Sequence, residues 1–453
     1  MPDVVVILPG ILGSVLERDG KAVWAVRAGA VVRALFTLGA NVKALELGAD
    51  DPDVDDLGDG VTATALMDDV HLVPGLWKID GYRAMADTVK ATFDVTNGEN
   101  YFEFPYDWRR DNRVAGRRLR RQSHEWLRSW RERSGNADAR LILLAHSMGG
   151  LVARSFLELE DGWRDTRSLV TFGTPYRGSL NALGFIANGF RKGVGPLSVD
   201  LSDLLRSLTS VHQLLPIYPC IDGGDGTLHR AAETAMVPNL VTQRAAAALA
   251  FHRSIEHAVE EHRRDDSYRR AGYGIFPIVG IAQTTAQSAQ LAGSGLEMLN
   301  TIAGRDDGGD GTVPRASATP IEFDDPKRAT FSPSPHASVH QTAASLTHVE
   351  GVLTADEVSG GTYRAARKAM SLAVDDVYDS TMPVEVKARV VGEADVIVGT
   401  IESTERPGDA RPLAFSAGDD GWAVGRSSVE PGTYRVTAGI GDEMLASDVT
   451  VVI

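Results

Sequence analysis

The fold turns on Leu141-Ile142-Leu143-Leu144-Ala145-His146-Ser147-Met148-Gly149-Gly150. Its first five residues are an unbroken apolar run, which reads as a strand buried on both faces of a parallel sheet. From Gly149 to Glu160 the spacing is helical, with Leu151, Val152, Ser155, Phe156 and Leu159 on one side. Between strand and helix sits Ser147, with small residues two before it (Ala145) and two after it (Gly149). This is the nucleophile elbow G-x-S-x-G, with alanine in place of the first glycine. A strand-to-helix turn that sharp requires small residues at those positions and lifts the hydroxyl clear of the sheet edge. It also sets the Met148 N–H at a helix N-terminus, where the dipole favours developing negative charge. Ser147 is the candidate nucleophile; the bland alternative is a buried serine in a tight turn.

Working outward, similar apolar runs occupy Val4 to Leu8, Leu169 to Gly173 and Ile275 to Ile281, with a weaker candidate at Tyr101 to Phe104. Helical spacing runs from Asp80 to Phe93 and from Arg113 to Arg133. The alternation predicts an α/β fold, a mostly parallel sheet with helices on both faces. Residues 181–270 break the rhythm: they are Ala/Leu/Arg-rich, mainly helical, and read as an inserted helical cap. A helix over residues 341–354 is expected to close the sheet domain. Beyond Val377 the period becomes two, over residues 383–390, 395–401, 422–425, 432–439 and 447–453. Short strands at this spacing predict an all-β, sandwich-like domain. The expected division is 1–375 for the α/β domain and 376–453 for the β domain.

The 453 residues carry 46 Lys+Arg against 61 Asp+Glu, a net charge of −15. An acidic total argues against a general nucleic-acid binder. The single cysteine, Cys220, excludes an internal disulfide framework. No apolar run approaches the ~18 residues of a membrane span. The opening residues show neither a basic n-region nor a small-residue cleavage site, so the chain is expected to be cytoplasmic. The charge is uneven. Residues 375–453 hold 15 acidic and 6 basic groups, 6 − 15 = −9. Residues 109–133 hold 10 arginines and 3 acidic groups, 10 − 3 = +7. That helix could meet anionic lipid headgroups, but its Leu and Trp spacing favours packing on the sheet with arginines facing water. The six aspartates between Asp50 and Asp59 resemble a calcium loop only superficially, since Asp56 stands where such a loop needs glycine and Thr62 where it needs glutamate. A solvated acidic loop is expected there.

A serine nucleophile needs a base, and the base an orienting carboxylate. In an elbow fold the chain order is Ser, Asp/Glu, His. Asp310, in Asp306-Asp307-Gly308-Gly309-Asp310-Gly311-Thr312, follows a late core strand and has flanking glycines that permit a tight loop. The similar stretch around Asp225 lies inside the cap and is the decoy. Three histidines follow: His336, His340 and His348. His336 sits in loop chemistry, Ser332-Pro333-Ser334-Pro335-His336, with Ser338 as a helix N-cap. His340 falls at the first helical turn and stays an alternative base; His348 is deep in the helix. The pair His336 and His340 lacks the glutamate and third ligand of a zinc helix, so no metal site is expected. The candidate for the second oxyanion N–H, beside that of Met148, is Ile11, in Pro9-Gly10-Ile11-Leu12-Gly13-Ser14 after the first strand; the bland alternative is an ordinary glycine turn. No cofactor is implied.

Taken in order, Val6-Ile7-Leu8-Pro9-Gly10-Ile11-Leu12-Gly13-Ser14, Phe104-Pro105-Tyr106-Asp107-Trp108-Arg109-Arg110, His146-Ser147-Met148-Gly149-Gly150, Phe172-Gly173-Thr174-Pro175 and Gly309-Asp310-Gly311-Thr312-Val313-Pro314 resemble the lecithin:cholesterol acyltransferase-like family of the α/β-hydrolase superfamily. The resemblance spans residues 1 to about 355 and excludes the β-rich tail. It implies an α/β-hydrolase fold and a serine hydrolase or acyltransferase acting on ester-linked lipids through an acyl-enzyme. It implies Ser147 as nucleophile, Asp310 as acid, a histidine near His336 as base, and Ile11 and Met148 N–H groups as the oxyanion hole. Two other readings stand beside it: a carboxylesterase for small soluble esters, and a catalytically inactive hydrolase fold used as a scaffold. Expected partners are the lipid or ester substrate, a transient membrane contact and a protein docked on the β domain, with no nucleic acid.

Overall fold

The computed structural model describes residues 1–25, 44–67, 71–73, 77–79, 81–192, 199–224, 226–323, 328–354, 369–391, 396–406, 408–418, 421–441 and 443–453. Its centre is a six-stranded sheet: β1 (Val4–Leu8), β2 (Tyr101–Glu103), β3 (Leu141–His146), β4 (Thr166–Phe172), β5 (Gly274–Gly280) and β6 (Thr330–Ser332). The order is β6-β5-β4-β3-β1-β2, and all five pairings are parallel. Every residue of β1 and β3 is buried, as continuous apolar runs require. Strand β6 has three residues and no apolar run, so it left no sequence signal.

Around the sheet lie α1 (Arg83–Thr92), α2 (Asn112–Ser134), α3 (Gly149–Leu159), α4 (Leu180–Asn188), α5 (Thr242–His262) and α6 (Ala343–Thr354). Helix α2 packs beside α3, α3 also meets α5, and α1 meets α6. Helix α2 starts on a side-chain cap, Asp111 accepting from the Arg113 N–H, and stops at Gly135 in the left-handed region. The closing helix α6 begins at Ala343, so Ser338 is not its N-cap; the chain from Pro335 to Gln341 is a series of turns. Parallel strands place their C-terminal ends along one edge. There the segments after β1, β3, β4, β5 and β6 converge, as in other open α/β sheets.

The insertion is less purely helical than its composition suggests. Besides α4 and α5 it contains Ser202–Ser207, Thr209–Gln213 and Asp266–Ala271 as short helices, and the strands Ile221–Asp222 and Leu228–His229. Ile221–Asp222 pairs in parallel with Ser288–Ala292, which pairs antiparallel with Gly295–Leu299. The excursion after β5 therefore extends the inserted structure beyond residue 270. Asp225 lies outside the described residues.

The C-terminal unit is all β, and its first described strand opens at Ala369. Its strands are β7 (Ala369–Val374), β8 (Val377–Tyr378), β9 (Val384–Val391), β10 (Ile397–Ser403), β11 (Arg411–Ala417), β12 (Ala423–Ser427), β13 (Gly432–Ile440) and β14 (Glu443–Val452). They form one sheet, β7-β9-β12-β11-β10-β13-β14-β8. Because β7 also lies against β14, the sheet curls over its own core of Met370, Leu372, Val384, Val386, Ile401 and Val436. The sandwich-like packing thus comes from a single rolled sheet. Strand β11 escaped sequence reading because Arg411-Pro412-Leu413-Ala414 does not alternate cleanly and proline argues against a strand interior.

The acidic loop and the arginine-rich segment, read from sequence as two solvated surfaces, are partners. Asp50, its side chain buried, accepts from Arg110 Nε at 3.0 Å and from the Asp111 N–H at 2.7 Å. The same guanidinium donates to the carbonyls of Asp51, Val54 and Asp55 at 2.8–2.9 Å. Arg109 pairs with Asp59 at 2.8 Å and Asp107 at 2.7 Å, and Asp55 pairs with Arg117 and Arg121. No local periodicity predicts contacts 50–66 residues apart. Replacing Arg110 by Met should cost about 3–5 kcal/mol in urea unfolding, because it leaves a buried carboxylate without its cation and three carbonyls undonated. A loss below about 1 kcal/mol would show that the clamp is not what holds this loop. Among the described residues no helix is long and apolar enough to cross a membrane.

Candidate active site

Ser147 occupies the turn between β3 and α3 with φ +52°, left-handed backbone that a non-glycine residue adopts only when its surroundings enforce it. The enforcement is visible: its N–H donates to the Phe172 carbonyl at 2.9 Å, and its own carbonyl accepts from Thr174 Oγ1 at 3.0 Å and the Gly150 N–H at 3.0 Å. The Phe-Gly-Thr-Pro segment after β4 therefore fixes the elbow.

Asp310 and His336 reach the same point from the loops after β5 and β6. His336 Nε2 lies 2.9 Å from Ser147 Oγ, and His336 Nδ1 lies 2.7 Å from Asp310 Oδ2. Asp310 Oδ1 accepts the N–H groups of Thr312 at 2.9 Å and Val313 at 2.6 Å. The His336 N–H donates to the Asp310 carbonyl at 2.8 Å, which joins the two loops by backbone. All three side chains are buried. Gly173 has φ +56°, and a Cβ there would stand 2.8 Å from Asp310 Oδ2 and 3.0 Å from His336 Nδ1. Only glycine leaves room for that hydrogen bond.

His340 does not join this array. Its Nε2 donates to the Gly81 carbonyl at 2.6 Å, and its ring lies 4.4 Å from that of His146, centre to centre. His348, in α6, approaches Thr330 Oγ1 at 3.4 Å. Of the alternatives for the base, only His336 touches both Ser147 and Asp310. No cluster among the described residues is arranged to hold a metal ion.

The Pro9–Ser14 loop lies over the serine. A Cβ on Gly10 would be 2.9 Å from Ser147 Cβ. Four polar backbone groups of this loop are held by aromatic side chains. Tyr106 Oη donates to the Pro9 carbonyl at 2.8 Å, Trp24 Nε1 to Leu12 at 3.0 Å, and Trp108 Nε1 to Ser14 at 3.1 Å. Tyr82 Oη accepts from the Gly10 N–H at 2.7 Å. Leu12 is itself left-handed, φ +63°. Among the described residues, the N–H groups of Ile11 and Met148 have no acceptor.

The Pro-Tyr-Asp-Trp-Arg-Arg motif thus has two jobs. Tyr106 and Trp108 brace the Pro9–Ser14 loop, and Arg109 and Arg110 lock the acidic loop. Sequence reading missed Trp24 and Tyr82 as supports, and also Gln283. The Gln283 backbone N–H donates to the Gly309 carbonyl at 3.0 Å, and its side chain to Pro333 at 2.9 Å. None of the three belongs to a recognisable motif.

Residues 43–262 match the family model described as lecithin:cholesterol acyltransferase. That segment holds the Pro-Tyr-Asp-Trp motif, Ser147 and the Phe-Gly-Thr-Pro turn, and ends before Asp310 and His336. No curated protein matches the chain by sequence. Among solved structures, the chain is similar to the propeptide form of Bacillus licheniformis lipase BlEst2, at 13% identity over 99% of this chain and 73% of that one, TM-score 0.34. It is also similar to phospholipase PlaB from Legionella pneumophila, at 10% identity over 99% of this chain and 89% of that one, TM-score 0.33. Likeness at that level says nothing of activity. Residues 43–262, just under half of the chain, are thus similar to the lecithin:cholesterol acyltransferase family, and they hold the central strands of a parallel α/β sheet.

Proposed function

We propose that this chain is a serine hydrolase or acyltransferase acting on ester-linked lipids, through Ser147, His336 and Asp310. The observation that carries the reading is the continuous hydrogen-bonded line from Ser147 Oγ through His336 to Asp310 Oδ2, at 2.9 and 2.7 Å, on a left-handed serine. His336 takes the Ser147 proton as the oxygen attacks the ester carbonyl. The carbonyl oxygen, now an oxyanion, is held by the Ile11 and Met148 N–H groups. Asp310 fixes the proton on Nδ1 and stabilises the imidazolium. His336 then protonates the departing alcohol, leaving an acyl group on Ser147. Water or a second alcohol, deprotonated by His336, attacks that acyl-enzyme and restores the serine. Lipid is preferred as the substrate class because the family match is to a lipid acyltransferase. The division into a catalytic body with an inserted cap and a C-terminal β unit belongs to the same proposal. So does a cytoplasmic setting, which suits a chain whose one cysteine is a buried free thiol.

The test is lipid mass spectrometry of phosphatidylcholine vesicles containing cholesterol, incubated with wild type or Ser147→Ala. Wild type should release fatty acid and lysolipid, or form acylated sterol, and Ser147→Ala should do neither. Turnover of a soluble p-nitrophenyl ester with untouched vesicles would replace the lipid reading by the small-ester one. No turnover of either, with no labelling by a fluorophosphonate, would leave the scaffold reading.

A further inference from the structure

His146 and Tyr82 take no direct part in that chemistry, yet they connect its two halves. His146 is fully buried directly before the nucleophile. Its Nε2 lies 3.0 Å from the carbonyl oxygen of His336, and its Nδ1 lies 3.0 Å from Tyr82 Oη. Tyr82 Oη in turn accepts the Gly10 N–H at 2.7 Å.

The directions of these bonds follow from what each atom can do. A carbonyl only accepts, so Nε2 of His146 carries the proton. In a neutral ring Nδ1 is then bare and accepts. Tyr82 therefore donates its hydroxyl proton to Nδ1 and receives the Gly10 N–H on its oxygen. One consistent line results: Gly10 N–H to Tyr82, Tyr82 O–H to His146, His146 N–H to the His336 backbone. Burial, then the neighbouring His340 and His336, push the His146 imidazole well below the usual histidine range, which keeps the ring neutral. Burial also raises the Tyr82 phenol, keeping it protonated.

We propose that Tyr82 and His146 are positioning residues that register the oxyanion loop against the loop carrying His336, through the line from the Gly10 N–H to the His336 carbonyl. Gly10 adjoins Ile11, whose N–H must meet the oxyanion, and the His336 carbonyl adjoins the ring that must meet Ser147. An error in either loop is therefore felt by the other. This rests on the triad reading given above.

The experiment uses the full chain and a soluble p-nitrophenyl ester. Tyr82→Phe should lower kcat about 10-fold, the size expected for losing one buried hydrogen bond that acts in the transition state, with KM changed less than about 2-fold. His146→Leu should do the same. His146→Gln, which keeps one acceptor and one donor, should stay within about 3-fold of wild type. The double variant Tyr82→Phe/His146→Leu should be no slower than the slower single, because one line is broken once or twice. Nitrogen-15 spectra of wild type at pH 7 should show His146 as the neutral tautomer with its proton on Nε2. If either apolar variant fails to fold, the His146→Gln rates and the wild-type tautomer decide. Wild-type kcat in Tyr82→Phe, multiplicative losses in the double variant, His146→Gln as slow as a triad variant, or a proton on Nδ1 would overturn the linkage while Ser147→Ala stays inactive. Retained activity in Ser147→Ala would overturn the triad reading itself and this linkage with it.

Discussion

Asp310→Asn is expected to lower kcat on a soluble ester by about 10⁴-fold while leaving KM and the folded state nearly unchanged. The reason lies in how the carboxylate is shared. Oδ1 accepts two backbone N–H groups, from Thr312 and Val313, and Oδ2 accepts His336 Nδ1. An asparagine has one carbonyl oxygen to offer. Turned toward Thr312 and Val313 it satisfies two buried donors; turned toward His336 it satisfies one and points its amide hydrogens at the other two. The first orientation wins, and it places the amide NH2 against Nδ1. A donor facing Nδ1 forces the His336 proton onto Nε2, and that nitrogen can no longer accept the Ser147 proton. Nothing in this change touches where the substrate binds, so KM is spared. Asp310→Ala provides the control, since it removes the orienting group without imposing the wrong tautomer; it should lose no more than the asparagine variant. Steady-state kinetics with both variants, with fluorophosphonate labelling rates alongside, would check the argument. A loss under about 10-fold in Asp310→Asn would remove Asp310 from the triad.

What could be read from the sequence was what local sterics enforce. The elbow was legible because a serine in left-handed backbone between a buried strand and a buried helix admits few neighbours. Asp310 was legible for a similar reason, being set among glycines in a tight loop. The choice between His336 and His340 was not local. It depends on Gly81, 259 positions from His340, supplying the carbonyl that occupies its Nε2. The aromatic braces of the Pro9–Ser14 loop were invisible for the same reason: Tyr82 and Tyr106 act across 72 and 97 residues. Their signal in sequence is only that of a core aromatic. Charge patterning misled where each cluster was judged alone. An acidic loop and an arginine-rich segment each read as solvated, whereas opposite runs in one chain can neutralise each other. The −15 total therefore sits mainly on the rolled β unit, where residues 375–453 contribute −9. Ser338 looked like an N-cap because it precedes a helical pattern. Its hydroxyl instead donates to the carbonyls of Pro335 and Ser447, the second of them in the C-terminal sheet.

That last contact changes what removal of the C-terminal sheet should do. A separate adaptor would leave activity on soluble esters intact when deleted. The sheet instead touches the loops that carry Asp310 and His336, the proposed acid and base. Gln283 is buried just after β5; its amide nitrogen donates to Pro333, three residues before His336, and to the carbonyl of Met370 in β7 at 3.3 Å. Its backbone N–H holds the Gly309 carbonyl beside Asp310. Ser371, also in β7, donates to the carbonyl of Ala282, which is left-handed at φ +68°. Ser447 in β14 accepts from Ser338, two residues after His336. Deleting residues 369–453 would expose these buried donors and free both loops at once. Because a misplacement of about 1 Å costs on the order of 100-fold, kcat on a soluble p-nitrophenyl ester should fall at least that far. Gln283→Met separates positioning from gross unfolding, since it keeps the volume and removes only the two amide hydrogen bonds. It should lower kcat about 10-fold with little change in KM. A truncated chain that folds, by circular dichroism, and keeps wild-type kcat on the soluble ester would show that the sheet is a detachable module. Wild-type kcat in Gln283→Met would show that its contact with the two loops is packing alone.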